Sequence, residues 1–177
     1  MAEKWVCNAH SKVYVGKLTT LWEDKIVPPG GEEGLYSYVE QRDSIIVMAV
    51  NERAEYFMVK QYRYPVQQSA WEFPAGNLED GEDPREGVKR ELQEEISHTS
   101  SNLTRLGQFN SDSSLNTKKC TVFLAKDLTP ASKERDATET NMVIKTFPLA
   151  EIEAMVRQGE IVEASTIAAL TYLKLNT

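Results

Sequence analysis

The chain has 177 residues, a formal net charge of −7 and a pI near 5.0. It is 41% hydrophobic and 27% charged, which suits one globular domain with a small appendage and excludes a disordered or fibrous chain. The acidic balance argues against a surface that tracks nucleic-acid phosphates, and the longest apolar run, Ile45 to Val50, is far too short to cross a bilayer.

The N-terminus, MAEKWVCNAH, has no apolar h-region, so no signal peptide is expected. Cys7 and Cys120 lack CxxC spacing, which suits free thiols in a reducing cytoplasm. KVYVGKLTTLW and LYSYV read as strands, separated by the turn-rich PPGGEEG of Pro28 to Gly34. SIIVMAV and EYFMVKQY, joined by the polar NERA, read as a buried hairpin. WEFPAG is a short strand ending at Pro74 and Gly76. LTRLGQF and CTVFLAKD are further strands, with the polar NSDSSLNTKK between them. A polar segment from about Asp127 to Asn141 precedes the strand MVIKTF. PLAEIEAMVRQG has helical periodicity, with Pro148 near its start and Gly159 as its stop, and STIAALTYLKL reads as a closing helix. Strands flanked by a few helices indicate an α/β or α+β layered domain.

Residues 79–95 hold eight acidic and three basic side chains, so this stretch carries most of the net charge. Asp83-Pro84-Arg85-Glu86 reads as a helix start, with an N-cap acid, proline at N1 and glutamate at N3 as in a capping box. The helix should run from about 84 to 97, with Val88, Leu92 and Ile96 forming a stripe about 80° wide. Glu91 and Glu95 fall about 60° and 20° from Val88, beside the stripe and not opposite it. Carboxylates at i and i+4 on a buried edge need a partner, and hard oxygens of this kind suit Mg²⁺ or Mn²⁺. The alternative is a solvated, salt-bridged face. An EF-hand is excluded by the spacing.

From Gly76 to His98 the sequence GNLEDGEDPREGVKRELQEEISH resembles the Nudix box, G-x5-E-x7-R-E-U-x-E-E-x-G-U, where U is aliphatic. Gly76, Glu82, Arg90, Glu91, Leu92, Glu94 and Glu95 sit at the required spacing. The fixed glycine and polar positions would coincide by chance on the order of 10⁻⁷ per window. Ser97 and His98 depart from the box, standing in place of its last glycine and aliphatic residue. The flanks VKQYRYP…WEFPAG and MVRQGEI…TIAALTYL resemble the branch that cleaves ADP-ribose and other nucleoside diphosphate sugars.

The resemblance implies a Nudix α/β/α sandwich with a mixed sheet over residues 43–177. It also implies an N-terminal antiparallel β extension over residues 1–42, used in substrate contact and in a homodimer. It implies hydrolysis of the pyrophosphate of a nucleoside diphosphate sugar, ADP-ribose or GDP-mannose for example, with two or three Mg²⁺ or Mn²⁺ ions. The metal ligands would be Glu91, Glu94, Glu95 and the carbonyl of Ala75. Gly76, Glu82 and Arg90 would shape the loop–helix–loop. Glu94 is also a candidate for the chemistry, and Glu139 for the general base, with Glu134 and Asp136 of the same loop as alternatives and a solvated loop acid as the plainer reading of Glu139. Arg63 would contact phosphate, or else form a cross-strand ion pair. Glu72 would help hold metal or substrate. Arg42 and Tyr36 would reach the substrate from the N-terminal part, with Trp22 and Tyr38 as other aromatics able to stack on a base. His10 and His98 have no partner pattern. No nucleic-acid or membrane partner is expected.

The post-box loop lacks the proline and glycine common in ADP-ribose enzymes, which favours a broader nucleotide-sugar preference. Two other readings stay open. One is a Nudix enzyme acting on dinucleoside polyphosphates, nucleoside triphosphates or capped RNA. The other is a non-enzymatic Nudix-fold ligand sensor, against which the intact Glu91, Glu94 and Glu95 argue.

Overall fold

A computed structural model describes residues 4–132 and 142–176. The chain divides into two compact units. The first runs to Asp43 and includes Asn110–Lys119; the second holds Ser44–Phe109 and the chain from Cys120 onward.

In the first unit, β1 (Val6–Val15), β2 (Thr19–Val27) and β3 (Gly34–Gln41) form an antiparallel sheet in the order β1-β2-β3. KVYVGKLTTLW is therefore not one strand but two, folded at Gly16, whose N–H donates to the carbonyl of Thr19. The segment between the LTRLGQF and CTVFLAKD strands is more than a polar connection. It runs beside β3, where Val39 donates to the Leu115 carbonyl and Thr117 donates to the Val39 carbonyl.

The second unit contains β4 (Ser44–Ala49), β5 (Glu55–Arg63), β6 (Gln68–Glu72), β7 (Ala75–Asn77), β8 (His98–Thr99), β9 (Asn102–Asn110), β10 (Lys119–Lys126), β11 (Thr129–Pro130) and β12 (Val143–Pro148). Three helices accompany them: α1 (Pro84–Ile96), α2 (Leu149–Arg157) and α3 (Ala164–Leu175). One sheet has the order β7-β4-β10-β9 and is mixed, with β10 parallel and β7 antiparallel to β4. A second has the order β12-β5-β6, and β8 pairs with β11.

The expected hairpin of SIIVMAV and EYFMVKQY closes only at its turn, where Val50 bridges antiparallel to Tyr56 and Asn51 donates to the Glu55 carbonyl, and beyond it β4 and β5 belong to different sheets. The reason lies in the burial of β4. Ile45, Val47 and Ala49 pack with Val88, Leu92 and Ile96 of α1. Ile46 and Met48 pack on the other side with Ile152 and Met155 of α2 and Leu170 and Leu173 of α3. Both faces of the strand are covered, so its apolar run is unbroken and a parallel neighbour is favoured. Each fully buried aliphatic side chain here stabilises the fold by about 1.5–3 kcal/mol.

The N-terminus of α1 is capped by Asp83, whose carboxylate accepts from the Arg85 N–H at 2.8 Å. Glu86 does not complete the expected capping box; its carboxylate pairs with Lys89 at 2.7 Å. Ser97 ends the helix at φ +58°, the left-handed conformation for which the box ordinarily supplies glycine. Gly159, at φ +76°, closes α2 as its sequence indicates.

Candidate active site

The site is built on α1 and on the Phe73–Asn77 segment beside it. Val88 and Leu92 anchor one stripe of α1 in the core at 0% exposure. The turn-to-turn spacing of the helix then carries Glu91 and Glu95 inward, where they are 5% and 2% exposed. A solvated acidic face is ruled out for these two. Burial of carboxylates at this depth costs several kcal/mol each unless charge and hydrogen bonds offset it.

Arg90 supplies part of that charge. Its Nε donates to Glu82 Oε1 at 3.0 Å and its Nη2 to Glu82 Oε2 at 3.1 Å. Nη1 donates to Glu91 at 2.6 Å and to Glu94 at 3.1 Å, and Nη2 also reaches the Asn77 carbonyl at 3.0 Å. The hydrogen bonds with Glu82 are the main cause holding the guanidinium far above its ordinary range, and in return they lower the Glu82 carboxyl. Glu82 also accepts from the Glu79 N–H at 2.8 Å, which ties the loop before α1 to the helix. Glu95 accepts from the Ala75 N–H at 3.2 Å.

Gly76 leaves room for the Glu91 carboxylate. A Cβ there would lie 1.8 Å from Glu91 Oε1. Gly76, Glu82 and Arg90, expected to shape the loop–helix–loop, meet here around Glu91 and the segment before α1.

Arg63, at the end of β5, forms a bidentate pair with Glu72, the last residue of β6. Glu72 is 3% exposed, whereas 45% of the Arg63 side chain faces solvent. Of the two readings of Arg63, the ion pair is what the structure displays. The Glu72 hydrogen bonds, with the charges of Glu95 and Glu163, raise the Arg63 pKa.

Glu163 escaped sequence reasoning. It caps α3, accepting from the Thr166 N–H at 2.7 Å and the Ser165 hydroxyl at 2.6 Å. Burial pushes its carboxyl up, but these bonds outweigh burial and hold it below its usual value. Glutamate is not among the favoured N-cap residues, so the only signal was its place three residues before Thr166.

In the first unit, Tyr36 donates to the Ser114 carbonyl at 2.8 Å. With Trp5, Tyr38, Ile26, Asp24 and Leu115 it lines a cavity of about 550 Å³. Trp22 is engaged otherwise: His10 stacks on it at 3.8 Å, Lys12 lies over its ring, and its Nε1 donates to Glu40. His10 thus occupies one face of the Trp22 ring. His10 also meets Asp24 at 2.6 Å, and His98 Nδ1 bonds the Ile96 carbonyl. Arg42 belongs to the first unit. Glu134, Asp136 and Glu139 lie outside the described residues.

The donors on α1 fit a hard divalent cation in kind and in charge. They are buried carboxylate oxygens beside a glycine that leaves room for one of them. Among the described residues no three His, Cys, Asp or Glu side chains converge as a ready-made cage. Between Glu91 and Glu94 the positive charge is that of Arg90.

The NUDIX domain family profile matches residues 40–170. The ADP-ribose pyrophosphatase of Bacillus subtilis (strain 168) is 30% identical over 94% of this chain and 91% of its own length. An ADP-ribose pyrophosphatase of Mycobacterium tuberculosis is 29% identical over 89% of this chain and 77% of its own length. The methanol dehydrogenase activator of Bacillus methanolicus is 28% identical over 93% of this chain and 89% of its own length. A crystal structure of an ADP compounds hydrolase shares the fold with a TM-score of 0.88 at 20% identity, covering 97% of this chain and 93% of that one. The chain belongs to the Nudix family of hydrolases. That family generally uses divalent metal ions such as Mg²⁺. No helix among the described residues is long and apolar enough to cross a membrane.

Proposed function

We propose that this protein hydrolyses the pyrophosphate bond of nucleoside diphosphate sugars, ADP-ribose or GDP-mannose among them, to a nucleoside monophosphate and a sugar phosphate. The observation that carries the reading is the burial of Glu91 and Glu95 on the α1 face beside Gly76. The names of the pyrophosphatase relatives support the substrate class.

Glu91, Glu94, Glu95 and the Ala75 carbonyl would hold Mg²⁺ or Mn²⁺, two or three ions in all. Bound there, the metal neutralises phosphate oxygens and lowers the pKa of a water. Arg90 and Glu82 keep the glutamates in place. The half-exposed Arg63 guanidinium orients the substrate phosphate, and Glu72 sets the direction of that guanidinium. Glu94, a quarter exposed beside the buried pair, would hold metal or take up a proton released in the reaction. Glu139 is proposed as the base that takes the proton of the attacking water.

Tyr36 and Arg42, in the N-terminal extension, are the proposed contacts to the nucleotide. Residues 1–42 are proposed to make a homodimer through β1, an edge strand exposed along its length and bearing Val6, Val13, Tyr14 and Val15. Light scattering showing only monomer at micromolar concentration would reject the dimer. The free cysteines Cys7 and Cys120 suit the cytoplasm as its place of work.

The test is a panel of ADP-ribose, GDP-mannose, dinucleoside polyphosphates, nucleoside triphosphates and capped RNA, assayed with Mg²⁺ and resolved by mass. Nucleotide sugars should have the highest kcat/KM. A higher kcat/KM for any other class would move the substrate assignment to that class.

A further inference from the structure

We infer that Thr166 is a positioning residue for the α1 site, an inference that rests on the metal reading proposed above. The turn from Phe73 to Ala75 joins β6, which ends at Glu72, to β7, which begins at Ala75. Three elements pin its main chain. From α3, Thr166 Oγ1 accepts the Phe73 N–H at 3.3 Å. From β4, Val47 donates to the Pro74 carbonyl at 2.8 Å. From α1, Glu95 accepts the Ala75 N–H at 3.2 Å. The turn thus links Glu72 at the end of β6 to Ala75, whose carbonyl is a proposed metal ligand.

Phe73 lies beyond the β5–β6 register, which ends with Glu72 opposite Val59, and it is 1% exposed. Its N–H needs an acceptor where water does not reach, and the hydroxyl of Thr166 is that acceptor. Thr166 itself is 2% exposed and shares the buried stripe of α3 with Ala169, Leu170 and Leu173. Valine has the same shape and would fill that position without a polar atom to desolvate. A hydroxyl there is offset by the Phe73 bond and by its own hydrogen bond to the Glu163 carboxylate. Glu163 fixes the Thr166 backbone through its cap, so the start of α3 is rigid where it meets the turn. Ligand groups for a metal ion tolerate only a few tenths of an ångström of misplacement, and partners that hold such groups change affinity by about 10–100-fold.

The experiment is a Mn²⁺ titration followed by electron paramagnetic resonance on the whole protein, in wild type, Thr166→Val and Thr166→Ser. Thr166→Val should bind Mn²⁺ about tenfold more weakly, and Thr166→Ser, which restores the acceptor, should recover most of the affinity. Wild-type affinity in Thr166→Val would overturn the inference and leave the metal reading standing. A wild-type protein that binds no Mn²⁺ would overturn both. Should Thr166→Val fail to fold, amide hydrogen exchange in the wild type decides. Saturating Mg²⁺ should slow exchange at Phe73 more than at Val122 in β10, because the turn and the metal stabilise each other. Equal slowing at both amides would overturn the inference.

Discussion

Arg63 and Arg90 each neutralise a buried glutamate, but they are held differently. Arg90 spreads its donors over Glu82, Glu91, Glu94 and the Asn77 carbonyl, tying β7, the loop before α1 and α1 itself into one body. Among the described residues Arg63 gives its hydrogen bonds to Glu72, and it keeps almost half its side chain in solvent. A guanidinium shared among four groups is a brace, and losing it leaves several carboxylates without compensation. A guanidinium held by one carboxylate at the surface is oriented yet still open to an anion. The same residue type thus serves rigidity in one place and recognition in the other.

The two buried glutamates of α1 should show the largest effects. Glu91→Gln and Glu95→Gln should each lower kcat in Mg²⁺ by about 100-fold or more, with circular dichroism unchanged. Gly76→Ala should lose comparable activity while its melting temperature moves little. The new Cβ displaces only the flexible end of Glu91, which is the end that matters to the chemistry.

Lysine substitution separates the two arginines. Arg90→Lys keeps the charge but not the fork, and should cost about 2 kcal/mol in urea unfolding. Arg63→Lys should cost less than about 0.5 kcal/mol and raise KM about tenfold with kcat nearly retained. The reverse pattern would exchange their roles.

Acid should loosen the brace. The Glu82 carboxyl is held below its ordinary value of 4.5, chiefly by Arg90, and Glu163 is held low by its cap. A carboxylate lowered in the folded state contributes stability above its unfolded pKa and loses it as pH falls through the folded one. Urea midpoints should therefore be flat from about pH 7 to 5.5 and fall below about pH 4.5, less steeply in Glu82→Gln. The smallest effect concerns Ser97, which adopts φ +58°. Ser97→Gly should add about 0.5–1 kcal/mol by relieving a left-handed non-glycine residue. No gain would mean that the strain is already relieved locally.

Much of this site was legible because its signal is local. Three and a half turns of α1 carry an apolar stripe with two glutamates beside it, and helical spacing alone brings them to the buried edge. What could not be read depends on distant pairing. Nothing in SIIVMAV tells whether its partner is β5 or β10, because a strand covered on both faces shows no alternation. The Arg63–Glu72 pair requires the β5–β6 register, and the bond from Phe73 to Thr166 spans 93 residues. Trp22 looked open for stacking until β1 laid His10 across it.

The central claim is that the buried glutamates of α1 support metal-dependent cleavage within a pyrophosphate. It is tested most directly by phosphorus NMR of ADP-ribose incubated with the protein and Mg²⁺, alongside an EDTA control. The account predicts AMP and ribose phosphate in Mg²⁺ and unchanged ADP-ribose in EDTA. ADP with free ribose, or hydrolysis undiminished by EDTA, would contradict it.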